Sequence, residues 1–253
     1  MTTRLGHDLA GPDDAPVLVL GSSLGATRAM WDPQRDALAD RFRVLRYEHR
    51  GHGQSEESEG PHAVADLAGD VLALLDELGV ERMSYAGLSL GGMVGMWLAA
   101  HEPRRVDRLV LLCTAAVLDP APWTTRAETV RRGGMEAVAD VVVERWFTPA
   151  FAVSHPEVVS SHRSMITSTS ATGYAACCDA IGAMDLRPDL GGIAAPTLVI
   201  AASDDPATPV EHARIIAGAV PGARLETVGP AAHLANVEQP AHIARLLLEH
   251  LSG

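Results

Sequence analysis

The sequence predicts an α/β fold, a mostly parallel central sheet with helices on both faces and one helical insertion. Short β-rich runs alternate with helical patterns along most of the chain, as in repeated βαβ units. That alternation lapses between residues 118 and 187, where the patterns are helical only. A length of 253 residues with 47% apolar and 21% charged residues suits one sizeable globular domain carrying an insert.

The elements follow in order. "PVLVLG" (16–21) reads as a buried strand, and "FRVLRY" (42–47) as the next, ending in the glycine-rich "RGHGQS". Residues 63–78 place Val64, Leu67, Val71, Leu74, Leu75 and Leu78 close to a 3.6-residue period, and Gly79 follows as a C-terminal cap. "RMSYAG" is a strand running into a glycine-rich turn, after which "MVGMWLAA" is helical. "VDRLVLLC" (106–113), "PTLVIAA" (196–202) and "ARLETVG" (223–229) are the remaining strands, and "PAHIARLLLEHL" is an amphipathic helix. This divides the chain into a core of 1–117 and 188–253, with 118–187 as a helical cap over the C-terminal edge of the sheet, where ligands bind in open α/β folds.

Charge narrows the function classes. A net charge of −12 argues against nucleic acid as a partner, because phosphate contacts need a basic face. All 20 basic residues are arginine. Without lysine, Schiff-base chemistry and the phosphate-binding P-loop are excluded. No apolar run reaches the roughly 18 residues of a membrane span, and the N-terminal stretch has no apolar signal region. Cys113, Cys177 and Cys178 form no CxxC pair and read as small core residues, so a cytoplasmic protein with reduced thiols is expected. Monomer and homodimer both remain open.

The turn "YAGLSLGGM" holds Gly87-x-Ser89-x-Gly91 between a strand and a helix, the setting of a nucleophile elbow. A serine needs a base, and the base needs an orienting group. "SDDPATP" (203–209) and "AAHLANVEQP" (231–240) each follow a strand and supply Asp205 and His233. The order Ser, Asp, His is that of the α/β-hydrolase fold. His233 would move the proton while Asp205 holds its tautomer. Asp205 is preferred to Asp204 because it lies four residues before Pro209. The backbone N–H groups of Leu24, in "GSSLGAT" (21–27), and Leu90 are the candidate oxyanion donors. His49 and His52 lack a third ligand at metal-site spacing and read as loop histidines, so no metal is assigned.

Beyond the fold, "SSLGATRAMWDPQ", "FRVLRYEHRGHGQS", "GLSLGGMVG", "ERWFTPAF", "GYAACCDAIGAMDLR", "APTLVIAASDDPATP" and "AAHLANVEQP" resemble the 3-oxoadipate enol-lactonases of the β-ketoadipate pathway of aromatic catabolism. The two segments of the insert are the more discriminating, since elbow and triad motifs are shared across the superfamily. The resemblance implies hydrolysis of an enol-lactone without cofactor, Ser89, Asp205 and His233 serving as the catalytic residues through an acyl-enzyme. The chain differs from the family at Glu48-His49, where an Asp-Thr pair is common, and at Ser22-Ser23, near the usual Asn-Ser. Both departures are expected to bear on pocket shape. A substrate carboxylate calls for an arginine in the insert, with Arg126, Arg131, Arg132, Arg145 and Arg163 available. Arg126 and Arg131, with Trp123 and Trp146, are the candidate substrate contacts. A broad carboxylesterase or cofactor-free perhydrolase shares every catalytic residue, and a slow-turnover ligand-binding protein of the same fold is the further alternative.

Overall fold

A computed structural model describes residues 3–253. The six strand segments read from the sequence form the parallel strands β2 (Val17–Gly21), β3 (Arg43–Tyr47), β4 (Met83–Leu88), β5 (Val106–Leu112), β6 (Thr197–Ala202) and β7 (Arg224–Val228). A strand that the pattern did not announce, β1 (His7–Ala10), pairs antiparallel with β3 at the edge. All four of its residues are only half-buried, so its sequence carries no apolar run. The sheet order is β1-β3-β2-β4-β5-β6-β7. Strands β2 and β4 therefore lie side by side while the chain beyond them leaves toward opposite edges, and the crevice at such a switch point is where open α/β sheets bind ligands.

Buried faces explain the composition of the central elements. Every residue of β4 and β6 is buried, so neither strand alternates polar with apolar. Helix α3 (Leu90–His101) is apolar nearly all round because it packs against β2, β4, β5 and the helix α2 (Val64–Glu77). At the end of α2, Val80 N–H reaches Leu75 C=O (2.8 Å) and Gly79 N–H reaches Asp76 C=O (3.2 Å), with Gly79 at φ 68°. That is the glycine C-terminal motif the sequence called for.

Between β5 and β6 run five α-helices, α4 (Pro120–Gly133), α5 (Glu136–Trp146), α6 (Pro149–Ser154), α7 (Pro156–Thr167) and α8 (Ala171–Ala183), and then a short 3-10 turn at Arg187–Gly192. A single antiparallel bridge, Val117 to Asp185, closes the root of this insert. Cys177 and Cys178 are buried on α8 as free thiols. The C-terminal helices are α9 (Val210–Ala219), α10 (Ala235–Glu238) and α11 (Pro240–Leu251), the last packed against the first helix, α1 (Asp32–Ala39). Among the described residues no helix is long and apolar enough to cross a membrane.

The glycines of the turn serve close approach rather than an unusual φ. A Cβ on Gly91 would stand 2.3 Å from the Gly21 carbonyl oxygen, and one on Gly87 would stand 2.2 Å from that of Gly91. The strain sits on Ser89 itself, at φ 56°. Gly91→Ala is expected to cost about 3 kcal/mol, the upper range for overpacking, because only backbone could yield. Calorimetry should show the melting temperature falling by roughly 6–12 °C. An unchanged melting temperature would mean that β2 and α3 are not in contact as described.

Candidate active site

Ser89 caps the N-terminus of α3 in a left-handed conformation, φ 56° and ψ −116°, which costs about 1–3 kcal/mol for a non-glycine residue. Hydrogen bonds hold it there. Its N–H reaches Leu112 C=O (3.0 Å), and its own C=O accepts from Thr114 Oγ1 (2.7 Å) and Met93 N–H (3.0 Å). Beneath the turn, the Tyr85 hydroxyl donates to Gly91 C=O (2.9 Å) and pairs with the Tyr47 hydroxyl (2.8 Å). The Ser89 hydroxyl makes no hydrogen bond among the described residues and faces a cavity of about 580 Å³.

The loops after β6 and β7 bring Asp205 and His233 to the same cavity edge. Asp205 Oδ2 accepts from His233 Nδ1 (2.8 Å) and Thr208 Oγ1 (2.6 Å), while Oδ1 accepts the N–H groups of Ala207 (2.8 Å) and Thr208 (3.1 Å). Burial alone would raise the Asp205 pKa, but His233 and the Thr208 donors outweigh it and hold the carboxyl down at about 2. An ionised Asp205 only accepts. In the neutral ring the proton therefore sits on Nδ1, and Nε2 is left bare. Asp204 points elsewhere, to the Ser203 hydroxyl (2.6 Å) and Ala231 N–H (3.2 Å).

The loop carrying His233 is tied to the insert. The last carbonyls of α5, which no intrahelical donor can reach, accept from His233 N–H (Arg145 C=O, 3.4 Å) and Leu234 N–H (Trp146 C=O, 3.0 Å). Glu238 completes the knot, taking Ala232 N–H (2.7 Å), Thr148 N–H (3.1 Å) and the Thr148 hydroxyl (2.7 Å). Sequence reading assigned Glu238 nothing, because its partner Thr148 is 90 residues away.

Leu24 also lines the cavity, and Leu90 is the first residue of α3. Neither backbone N–H has a partner among the described residues, whereas the adjacent Gly25 and Gly91 N–H groups are both bonded, to His52 Nε2 (2.9 Å) and Ser22 C=O (3.0 Å). His49 and His52 are thus more than loop filler. His49 Nε2 donates to Ser22 C=O (2.9 Å). Burial first, then the neighbouring charges, pushes the pKa of His49 down to about 3, and burial pushes that of His52 down to about 4. The expectation that Glu48-His49 shapes the pocket needs correcting: Glu48 binds Arg28 (2.9 Å), and neither residue lines the cavity, although Ser23 does.

Of the five arginines, two reach the cavity wall, Arg126 on α4 and Arg145 on α5. Arg126 lies 4.6 Å from the centre of the Trp123 ring, a cation–π distance, and has no carboxylate partner among the described residues. Arg131 does not line this cavity, contrary to expectation, and its half-exposed guanidinium is bound to Asp179 of α8. Arg132 pairs with Glu128, and Arg163 with Glu136 (2.8 Å) and Asp140 (2.6 Å). Trp123 and Trp146 both line the cavity. So does Tyr174 of α8, whose buried hydroxyl lies near the Arg126 guanidinium and makes no close hydrogen bond among the described residues. A hydroxyl on a strained elbow, an imidazole with one bare nitrogen and two unpaired N–H groups are the parts that acyl transfer requires.

Comparison with known proteins identifies the family. The family model for the alpha/beta hydrolase fold matches residues 16–154 and 156–240. A 3-oxoadipate enol-lactonase of Acinetobacter baylyi is 38% identical over 237 residues, covering 93% of this chain and 88% of the relative. A protein of Agrobacterium fabrum named for carbamate hydrolysis, RutD, is 30% identical, covering 94% of each chain. The crystal structure of the enol-lactonase from Burkholderia xenovorans LB400 superimposes with a TM-score of 0.97 at 40% identity, over 99% of this chain and 97% of that one. The chain is an enzyme of the alpha/beta-hydrolase fold family and resembles that family's 3-oxoadipate enol-lactonases.

Proposed function

We propose that the chain hydrolyses a carboxylate-bearing enol-lactone, 3-oxoadipate enol-lactone, through an acyl-enzyme on Ser89. The observation that carries the substrate class is an unpaired guanidinium, Arg126, in the same cavity as Ser89 and His233. The names of the relatives at 34–40% identity support it.

His233 Nε2 takes the proton of the Ser89 hydroxyl as Oγ attacks the lactone carbonyl carbon. The carbonyl oxygen becomes an oxyanion, held by the N–H groups of Leu24 and Leu90. Collapse breaks the ring C–O bond. The leaving oxygen departs as an enolate, takes the proton from His233 and tautomerises to the ketone while remaining attached through the carbon chain. A water then gives its proton to His233 and attacks the acyl carbon, and Ser89 Oγ leaves with that proton. Arg126, oriented by Trp123, binds the free carboxylate, and the Tyr174 hydroxyl beside Arg126 faces the same ligand. Residues 118–187 act as the cap that shields these steps from bulk solvent while admitting the one water that hydrolyses the acyl-enzyme.

A charge-assisted hydrogen bond is worth about 1.5–3 kcal/mol. Arg126→Met should therefore lower kcat/KM for the enol-lactone by roughly 10- to 150-fold, mostly through KM, and leave a neutral aryl ester within about two-fold. Wild type should prefer the lactone to both the aryl ester and a simple carbamate. Faster turnover of the neutral ester, with no effect of Arg126→Met, would favour a general esterase, and preference for the carbamate would replace the substrate class.

A further inference from the structure

We propose that His52 is a positioning residue that sets the Leu24 N–H against the oxyanion by accepting the hydrogen bond of the next peptide, Gly25. The inference rests on the proposed attack by Ser89.

The loop after β2 makes a tight turn in which Ala26 N–H bonds Ser23 C=O (3.1 Å), with Leu24 and Gly25 as its central pair. Gly25 has φ 82°, the value expected at the third position of a type II turn. The peptide between the two central residues distinguishes type II from type I, and turning it over changes ψ of Leu24. In this structure that peptide is pinned by Gly25 N–H donating to His52 Nε2 at 2.9 Å.

His52 can accept because of its own loop. Its Nδ1 lies 3.0 Å from Arg50 C=O, which only accepts, so Nδ1 bears the proton and Nε2 is bare. The ring is fully buried, which keeps it neutral and denies Gly25 a water as substitute. On the other side of Leu24, Ser22 C=O is held by His49 Nε2–H (2.9 Å) and by Gly91 N–H of the elbow helix (3.0 Å). The turn is thus gripped by a donor imidazole before Leu24 and an acceptor imidazole after it. Among the described residues the N–H between them without a partner is that of Leu24, and Leu24 borders the cavity of Ser89. His52 itself does not line that cavity, so it acts through the turn.

The test compares His52→Leu, His52→Gln and His52→Asn on an aryl ester and on an aryl trifluoromethyl ketone, which forms a tetrahedral oxyanion with a nucleophilic serine. Loss of one oxyanion donor costs about 10²–10³ in kcat, and a displaced donor should cost roughly 10–100-fold. His52→Leu should lower kcat by that factor, with KM within two-fold, and raise the Ki of the ketone in parallel. Glutamine places an acceptor oxygen near the Nε2 position and should restore most of both, whereas asparagine falls short and should not. If the leucine variant does not fold, the contrast between glutamine and asparagine decides. Unchanged kcat in the leucine variant, equal behaviour of the two amides, or a kcat loss without a change in ketone affinity would overturn the proposal. Ser89→Ala, assayed beside them, separates the two questions. Retained activity there removes the nucleophile, while its loss beside an active His52→Leu removes only the role of His52.

Discussion

Ser89→Ala is expected to lower kcat by about 10⁶-fold, the effect of removing a serine that works as one unit with its base. The residual rate should still exceed that in water by about 10³-fold, because the Leu24 and Leu90 donors would remain. Little else should change. Among the described residues the Ser89 hydroxyl has no hydrogen-bond partner, and alanine tolerates φ 56° about as poorly as serine does. Melting temperature should therefore hold within about 4 °C. Turnover above about one per cent of wild type would mean that another group attacks the substrate.

Asp205→Asn should lower kcat by about 10⁴-fold for a reason visible in its bonds. Oδ1 lies between two backbone donors, Ala207 N–H and Thr208 N–H, so the amide oxygen of asparagine must take that place. Its NH₂ then faces His233 Nδ1, where the carboxylate accepted at 2.8 Å. A donor there forces the His233 proton onto Nε2, and the imidazole can no longer receive one from Ser89. The carboxylate also has a pH signature. Its pKa is lowered from the ordinary 3.8 to about 2, so its stabilisation is present above pH 3.8 and is lost as pH falls towards 2. Acid titration of the melting temperature should show wild type losing more than Asp205→Asn between those values. Equal slopes would mean that the carboxylate is not held by these donors.

Local pattern made most of this fold legible. Five of the six parallel strands are largely apolar runs buried on the sheet, which made them readable; β7 and β1 are both partly exposed, and of these two only β7 was read. The triad candidates were readable because they follow strand ends in a recognisable order. The arginines were different. Arg126 and Arg131 are five residues apart on α4, about 140° around the helix, so one meets the cavity and the other meets Asp179. Nothing in the local sequence says which face turns inward, since α8 decides it. His49, His52 and Glu238 were hidden for a related reason. Each bonds a loop brought close only by the sheet order, and a histidine beside a glycine-rich turn carries no local mark of its partner. The spacing of "RGHGQS" behind a strand was the one available signal, and it pointed to a loop without pointing to Gly25.

Attack by Ser89 would leave the opened substrate covalently bound to its Oγ. We would quench turnover of the enol-lactone within milliseconds, digest at arginine and weigh the peptide 83–104, which contains Ser89. Because a lactone opens without losing its leaving group, the account predicts an added mass equal to the entire substrate, located by fragmentation on Ser89 rather than Ser84, and absent from Ser89→Ala. Steady turnover with that peptide unmodified, or with the added mass on any other residue, would contradict it.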